Sequence, residues 1–197
     1  MDLKKTSEET AEKLLARRII LIDGKLEPDL MRMVRFGILR LNTESVDDIK
    51  LLINSSGGNV TMMNLVFDVI KLSKARVVGI VNGACDSAAV TLLQACHVRL
   101  ATRGSSFFMH FVSHDGDFFF KSNTPTSKIN RKLKTRIESS KKVQRYSENI
   151  LCQRTGLTRI EIRRYMIDGE ENGARLDAEE AKAIGLVDNV IDSFELF

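Results

Sequence analysis

The 197-residue chain contains no apolar run approaching the roughly 18 residues needed to cross a bilayer. Its opening, MDLKKTSEETAEKLLARR, lacks the apolar segment of a secretory signal. These two absences predict a soluble, cytoplasmic protein with no membrane partner. Cysteine is scarce as well. Cys85, Cys96 and Cys152 are odd in number and lack the CxxC spacing of a zinc or redox site, which excludes a disulfide framework and predicts reduced thiols. No metal and no cofactor is expected. Neither an internal repeat nor a low-complexity segment is present. The basic stretch KINRKLKTRIESSKKVQR carries much of the net charge of +4 but has no aromatic stacking platform, so it reads as a solvated helix face and no nucleic-acid partner is expected.

What remains is an ordinary globular balance. Charged residues make up 28% and hydrophobic residues 43%, enough for one domain over residues 1–197 to bury a core unaided. TSEETAEKLLARR opens with a candidate capping box, Thr6 with Glu9. IILIDG reads as a short strand. In PDLMRMVRFGILRLN, Leu30, Met33, Val34, Ile38 and Leu41 fall at helical spacing, with Gly37 as the weak point. DIKLLINSS is a second strand, ended by Gly57 and Gly58. Met62, Leu65, Val66, Val69 and Ile70 then form one helical stripe, read as core. ARVVGIVNG is a third strand with a short helix, SAAVTLLQAC, directly behind it.

HVRLATRGSSFFMHFVS supplies two more short strands. HDGDFFFKSNTPTS reads as a loop whose three phenylalanines suit an interface. A long helix runs from Lys128 to Cys152 with Ile129, Leu133, Ile137, Tyr146 and Ile150 as its apolar members. Gly156 stops it, and Thr158 caps the next helix. Asp177 and Glu180 form a capping pair, Gly185 a stop, and LVDNVI a last strand. Strands alternating with helices predict an α/β fold with mostly parallel pairing.

In GACDSAAV a buried strand ends in small residues and turns at once into a helix, exposing Ser87 beside the free N–H groups of the helix start. The plain alternative is a serine N-cap. A nucleophilic serine needs a base, and the chain has three histidines. His110, at the end of SSFFMH, is the best-placed candidate. His97 and His114 lie in more turn-like, polar surroundings.

LLINSSGGNVT, GACDSAAVTLLQA, SSFFMH and EEAKAIGLVD occur in the order and approximate spacing of the proteolytic subunit of the Clp protease. Over about Arg18 to Asp188 the chain resembles a divergent member of that family. The resemblance implies the ClpP/crotonase fold, a spiral of β-β-α units with a long helix, a short N-terminal segment (1–17) and an extended handle region at about 111–145. It implies a serine endopeptidase cutting unfolded proteins or peptides inside an oligomeric chamber. Ser87 would be the nucleophile and His110 the general base, with the backbone N–H groups of Gly58 and Ala88 as oxyanion hole. Homo-oligomeric rings, two of them stacked, and a AAA+ unfoldase would be the partners.

The sequence departs from the family in places. YMIDGEENGARLDA is longer than the family's loop. Counting forward from TGLTRIEI gives Asp168 as the acidic third member, whereas counting back from RLDA gives Gly173, beside Asn172. An aromatic pair of the family's ATPase-docking pocket reads Lys50 and Leu52 here. The apolar axial loop is missing from the N-terminal segment, and the handle reads HDGDFFFKSN rather than glycine-rich. Two other readings stay open: a weak or inactive subunit serving a structural role in a mixed ring, and an acyl-CoA enzyme of the crotonase fold, which needs no serine–histidine pair.

Overall fold

A computed structural model describes residues 3–113, 125–167 and 173–192. Five strands form a parallel path in the order β1 (Ile19–Asp23), β2 (Ile49–Ser55), β3 (Val77–Asp86), β4 (Val98–Thr102) and β7 (Asn189–Ile191). The ten-residue β3 takes part in two pairings. Val78 to Val81 lie against β4, and Ala84 to Asp86 against β5 (Ser106–His110). The β2–β3 register shifts between Ile53 and Ser55. Asn54 manages that break: its Oδ1 accepts from the Ala84 N–H at 3.0 Å while its Nδ2 donates to Asp23. Gly83 is required beside it, because a Cβ there would stand 2.5 Å from Asn54 Oδ1. The sheet thereby turns a corner and carries the end of β3 toward β5.

The main core lies where α2 (Pro28–Glu44), α3 (Val60–Lys71) and α4 (Ala88–Leu93) pack on this sheet. The apolar stripe of α2 buries Met31, Val34, Ile38 and Leu41, while Met33, expected inside, is 65% exposed. Gly37 is a packing position and not a weakness, since a Cβ would meet Ile20 Cδ1 at 2.9 Å. On α3 the buried set is Met63, Val66, Phe67 and Ile70. Leu65 is exposed, and Met62 and Val69 are only half-buried, so of the expected stripe Val66 and Ile70 face the core, joined there by Met63 and Phe67. In both helices two apolar stripes overlap, and the sheet selects between them. A smaller cluster of Ile19, Leu52, Val78 and Ile80 with Leu14 lies apart from the main core. α1 (Leu3–Ala16) already includes Thr6, so the Thr6–Glu9 pair does not open that helix.

The C-terminal half contributes α5 (Thr126–Thr155), α6 (Arg159–Ile167), β6 (Gly173–Asp177) and α7 (Ala178–Ala183). The expected helix ends are present. Gly156 adopts φ 78° after α5, Thr158 and Glu161 bond reciprocally before α6, and Asp177 with Glu180 makes a full capping box before α7. β6 was not anticipated; it pairs antiparallel with β5, setting Gly173 opposite His110. Along α5, Ile150 and Leu151 are buried, but Leu133 and Ile137 of its outer half are exposed. The expected apolar stripe therefore exists without being covered within one chain. Among the described residues no helix is long and apolar enough to cross a membrane. The phenylalanines of HDGDFFFKSN and His114 lie outside the described residues.

Candidate active site

Ser87 stands at the N-cap position of α4 but does not act as a cap. Its backbone takes φ 55° and ψ −121°, and its side chain makes no capping hydrogen bond. A serine pays strain of order 1–3 kcal/mol for such a conformation, which persists only where the surroundings impose it. They do so here. The Ser87 N–H donates to the Phe108 carbonyl at 2.8 Å, and the Ser87 carbonyl accepts from Val90 N–H at 3.1 Å, fixing the residue from β5 and from α4. Half-buried Ser87 is thus held with its hydroxyl released from any helix duty.

The two glycines after β2 have different tasks. Gly57, at φ 81°, packs on the turn itself: a Cβ would come within 2.6 Å of the Asp86 carbonyl and 2.8 Å of Ser87 Cβ. Gly58 bridges Leu26 in a parallel sense. The bonds of that bridge run from Leu26 N–H to the Gly57 carbonyl and from Asn59 N–H to the Leu26 carbonyl, so the Gly58 N–H faces away from Leu26. The sequence reading singled out Gly58; the packing role of Gly57 was missed, although the pair GG after a strand signalled a close approach.

His110 is half-buried at the end of β5. Two residues earlier on the same face, Phe108 stacks on it with ring centroids 5.2 Å apart and planes at 24°. The Arg175 guanidinium lies 4.9 Å from the Phe108 ring, on its side paired with Asp86 at 3.8 Å. Arginine, phenylalanine and imidazole form a stack reaching from β6 back to the residue before Ser87. Opposite His110 the chain has Gly173, where a Cβ would stand 2.5 Å from the Met109 carbonyl. No carboxylate can therefore come from that β6 position. Asp168 and Asn172 lie outside the described residues.

Ser87, Ala88, Gly58 and His110 all line one cavity of about 670 Å³. Its wall continues inward to buried side chains that sequence reasoning had passed over, Thr91 on α4 and Gln144 and Ser147 on α5. A signal was available for Thr91 alone, which is one helical turn from Ser87 and interrupts the apolar run AAVTLL, whereas Gln144 and Ser147 stand among polar residues in KKVQRYSEN. Gln144 also ties α5 to the segment after His110, since its side-chain oxygen accepts from Val112 N–H at 2.9 Å.

The remaining candidates lie elsewhere or are differently occupied. His97 does not line the cavity at Ser87; its Nδ1 accepts from Val77 N–H at 3.0 Å. Burial, then the nearby Lys71 charge, holds its imidazole below the usual range. Cys85 and Cys96 are buried, and burial pushes the Cys96 thiol up to about 12, leaving both unreactive. Among the described residues no His, Cys, Asp and Glu cluster could hold a metal ion. Lys50 and Leu52 project from β2, Leu52 into the smaller apolar cluster.

A family model described as Clp protease matches residues 3–194. The ATP-dependent Clp protease proteolytic subunit 3 of Frankia casuarinae is 30% identical over 184 residues, covering 92% of this chain and 80% of that protein. The proteolytic subunit 4 of Rhodococcus jostii is 26% identical over 180 residues, covering 91% and 87%. Among solved structures, a ClpP1 mutant from Listeria monocytogenes superposes with a TM-score of 0.78 at 21% identity, covering 95% of this chain and 98% of that one.

Proposed function

The chain belongs to the Clp protease family, and from that premise we propose that it is a serine endopeptidase acting on unfolded proteins or peptides. The observation that carries this reading is the uncapped, strained Ser87 sharing one cavity with His110, Gly58 and Ala88. In the proposed reaction Ser87 Oγ attacks the peptide carbonyl while the His110 imidazole takes its proton. The tetrahedral oxyanion is met by the N–H groups of Gly58 and Ala88. His110 then returns the proton to the leaving amine, and a water deprotonated by the same imidazole releases the acyl group from Ser87. Asp168 is the proposed third member, orienting His110, with Asn172 as the alternative; asparagine would hold the ring without the stabilising charge.

The proposed working form is a ring of copies of this chain, two rings stacked, enclosing the sites. The exposed apolar side chains Met33, Phe36 and Leu39 on α2 and Leu133 and Ile137 on α5 support an assembly that covers them. Docking to a AAA+ unfoldase is part of the reading, with Lys50 and Leu52 as the positions where its chemistry would differ. A second reading, a weak or inactive subunit in a mixed ring, is favoured by one observation: the residue opposite His110 is glycine. Hydrolysis of an unfolded protein and of short fluorogenic peptides, measured beside the mass of the assembly, decides between them. Cleavage abolished in Ser87→Ala is expected. An assembled, folded ring that cleaves neither substrate would favour the second reading.

A further inference from the structure

One residue touches both members of the Ser87–His110 pair. The Phe108 carbonyl accepts from Ser87 N–H at 2.8 Å, and the Phe108 ring stacks on the His110 imidazole with centroids 5.2 Å apart and planes at 24°. Side chains two apart on a strand share a face, so the stack is built into β5 itself. On β6, Arg175 is registered against Phe108 and Gly173 against His110. A Cβ on Gly173 would stand 2.8 Å from Phe108 Cζ and 2.9 Å from His110 Cβ. The phenyl ring thus occupies room that a side chain opposite His110 would need. Arg175 holds that ring in turn. Its guanidinium lies 4.9 Å from the ring centroid and pairs at 3.8 Å with Asp86, the residue before Ser87. The turn that carries the nucleophile and the strand that carries the base are therefore tied together through one phenylalanine and one arginine.

We infer that Phe108, backed by Arg175, is the positioning residue that sets the plane of the His110 imidazole, a role filled from within β5 where β6 presents only glycine. The inference rests on the reading of Ser87 and His110 as nucleophile and base. An imidazole turns about a broad, two-fold torsion, and a flat ring packed against its face confines that torsion to one plane. Stacking leaves two flips of the imidazole, related by a half-turn. A bond at the imidazole edge, the task proposed for Asp168, chooses between them. The two tasks are separable, because one acts on the face of the imidazole and the other on its edge. Leucine at position 108 would keep the backbone bond to Ser87 and much of the volume but offers no flat face, so the imidazole would tilt out of line with Ser87 Oγ.

Nuclear magnetic resonance of the full-length protein, carrying ¹³C only in its three histidines, reads the stack without any chemistry. With the signals assigned by His110→Gln, the His110 ring signal of wild type is expected upfield, shifted by the Phe108 ring. Phe108→Leu should return it toward the position of an unstacked histidine. In cleavage of a short fluorogenic peptide, Phe108→Leu should lower kcat about ten- to hundredfold with KM little changed, the pattern of a misaligned base and not of a lost binding contact. Arg175→Met should lower kcat about threefold, and Arg175→Lys, which keeps a cation over the ring, should restore it. Those two variants carry the test should Phe108→Leu lose the melting temperature or assembly mass of wild type. A His110 signal that does not move, or a folded Phe108→Leu with kcat intact or with KM alone raised, would overturn the inference, as would an Arg175→Lys no better than Arg175→Met. The peptidase reading is judged separately, by cleavage with wild-type protein. A wild type that cleaves nothing, while its His110 signal moves in Phe108→Leu, would sink that reading and leave the positioning of the imidazole standing.

Discussion

Two helices begin at the cavity, and they begin differently. Before α3, Asn59 sits at φ −67° and ψ 107°, and its side chain accepts from Met62 N–H at 3.1 Å, an ordinary N-cap. Before α4, Ser87 occupies the equivalent place with a left-handed φ and no cap bond. Both residues are good capping types, both follow a parallel strand, and both line the same cavity. One hydroxyl or amide is committed to its own helix, while the other is held away from it at a cost in strain. That contrast gives Asn59 a capping task and leaves the Ser87 hydroxyl free for the proposed chemistry.

The largest expected effect breaks the comparison on the Ser87 side. Ser87→Ala should abolish peptide hydrolysis by about a thousandfold or more while leaving the melting temperature where it was, because no cap is removed. Gly57→Ala comes next. It adds a side chain at φ 81° directly against the Asp86 carbonyl, and a loss of about 2 kcal/mol or more in urea unfolding is expected. A third pair sharpens the contrast. Asn59→Ala should cost about 1 kcal/mol, whereas Ser87→Gly, relieving the strained φ, should stabilise by up to about 1 kcal/mol. Equal losses in those two variants would mean that Ser87 caps α4 after all.

The smallest effect concerns a histidine at the other end of β3. His97 is held below its ordinary value of 6.5 by burial, so the unfolded chain binds its proton more readily than the folded one. Its contribution to stability is therefore complete above about pH 6.5 and is lost as the pH falls through the lowered folded value. Melting curves from pH 7.5 downward should show that decline, and His97→Gln should flatten it. A decline of the same size in the variant would assign it to other groups.

The sequence was most informative where local chemistry governs. Strands β1 to β5, the caps at Thr158 and Asp177 and the stop at Gly156 could all be read, because each depends on neighbours within a few residues. The convergence of Gly58, Ala88, Ser87 and His110 was also legible, through motif order. Burial on α2 and α3 was harder. Met31 and Met33, or Met63 and Leu65, suit a core equally, and only the sheet decides between them. GARLD carries no strand alternation, and β6 exists because β5 offers it an edge. Thr91, Gln144 and Ser147 were passed over because a polar residue on a helix reads as exposed until a second helix closes over it.

The most direct test of the central claim is fluorophosphonate labelling of the folded, assembled protein, with the adduct mapped by peptide mass spectrometry and Asp168→Ala run beside wild type. The account expects a single adduct on Ser87 that falls sharply in Asp168→Ala. A folded assembly that takes no label, or takes it on another serine, would contradict the account.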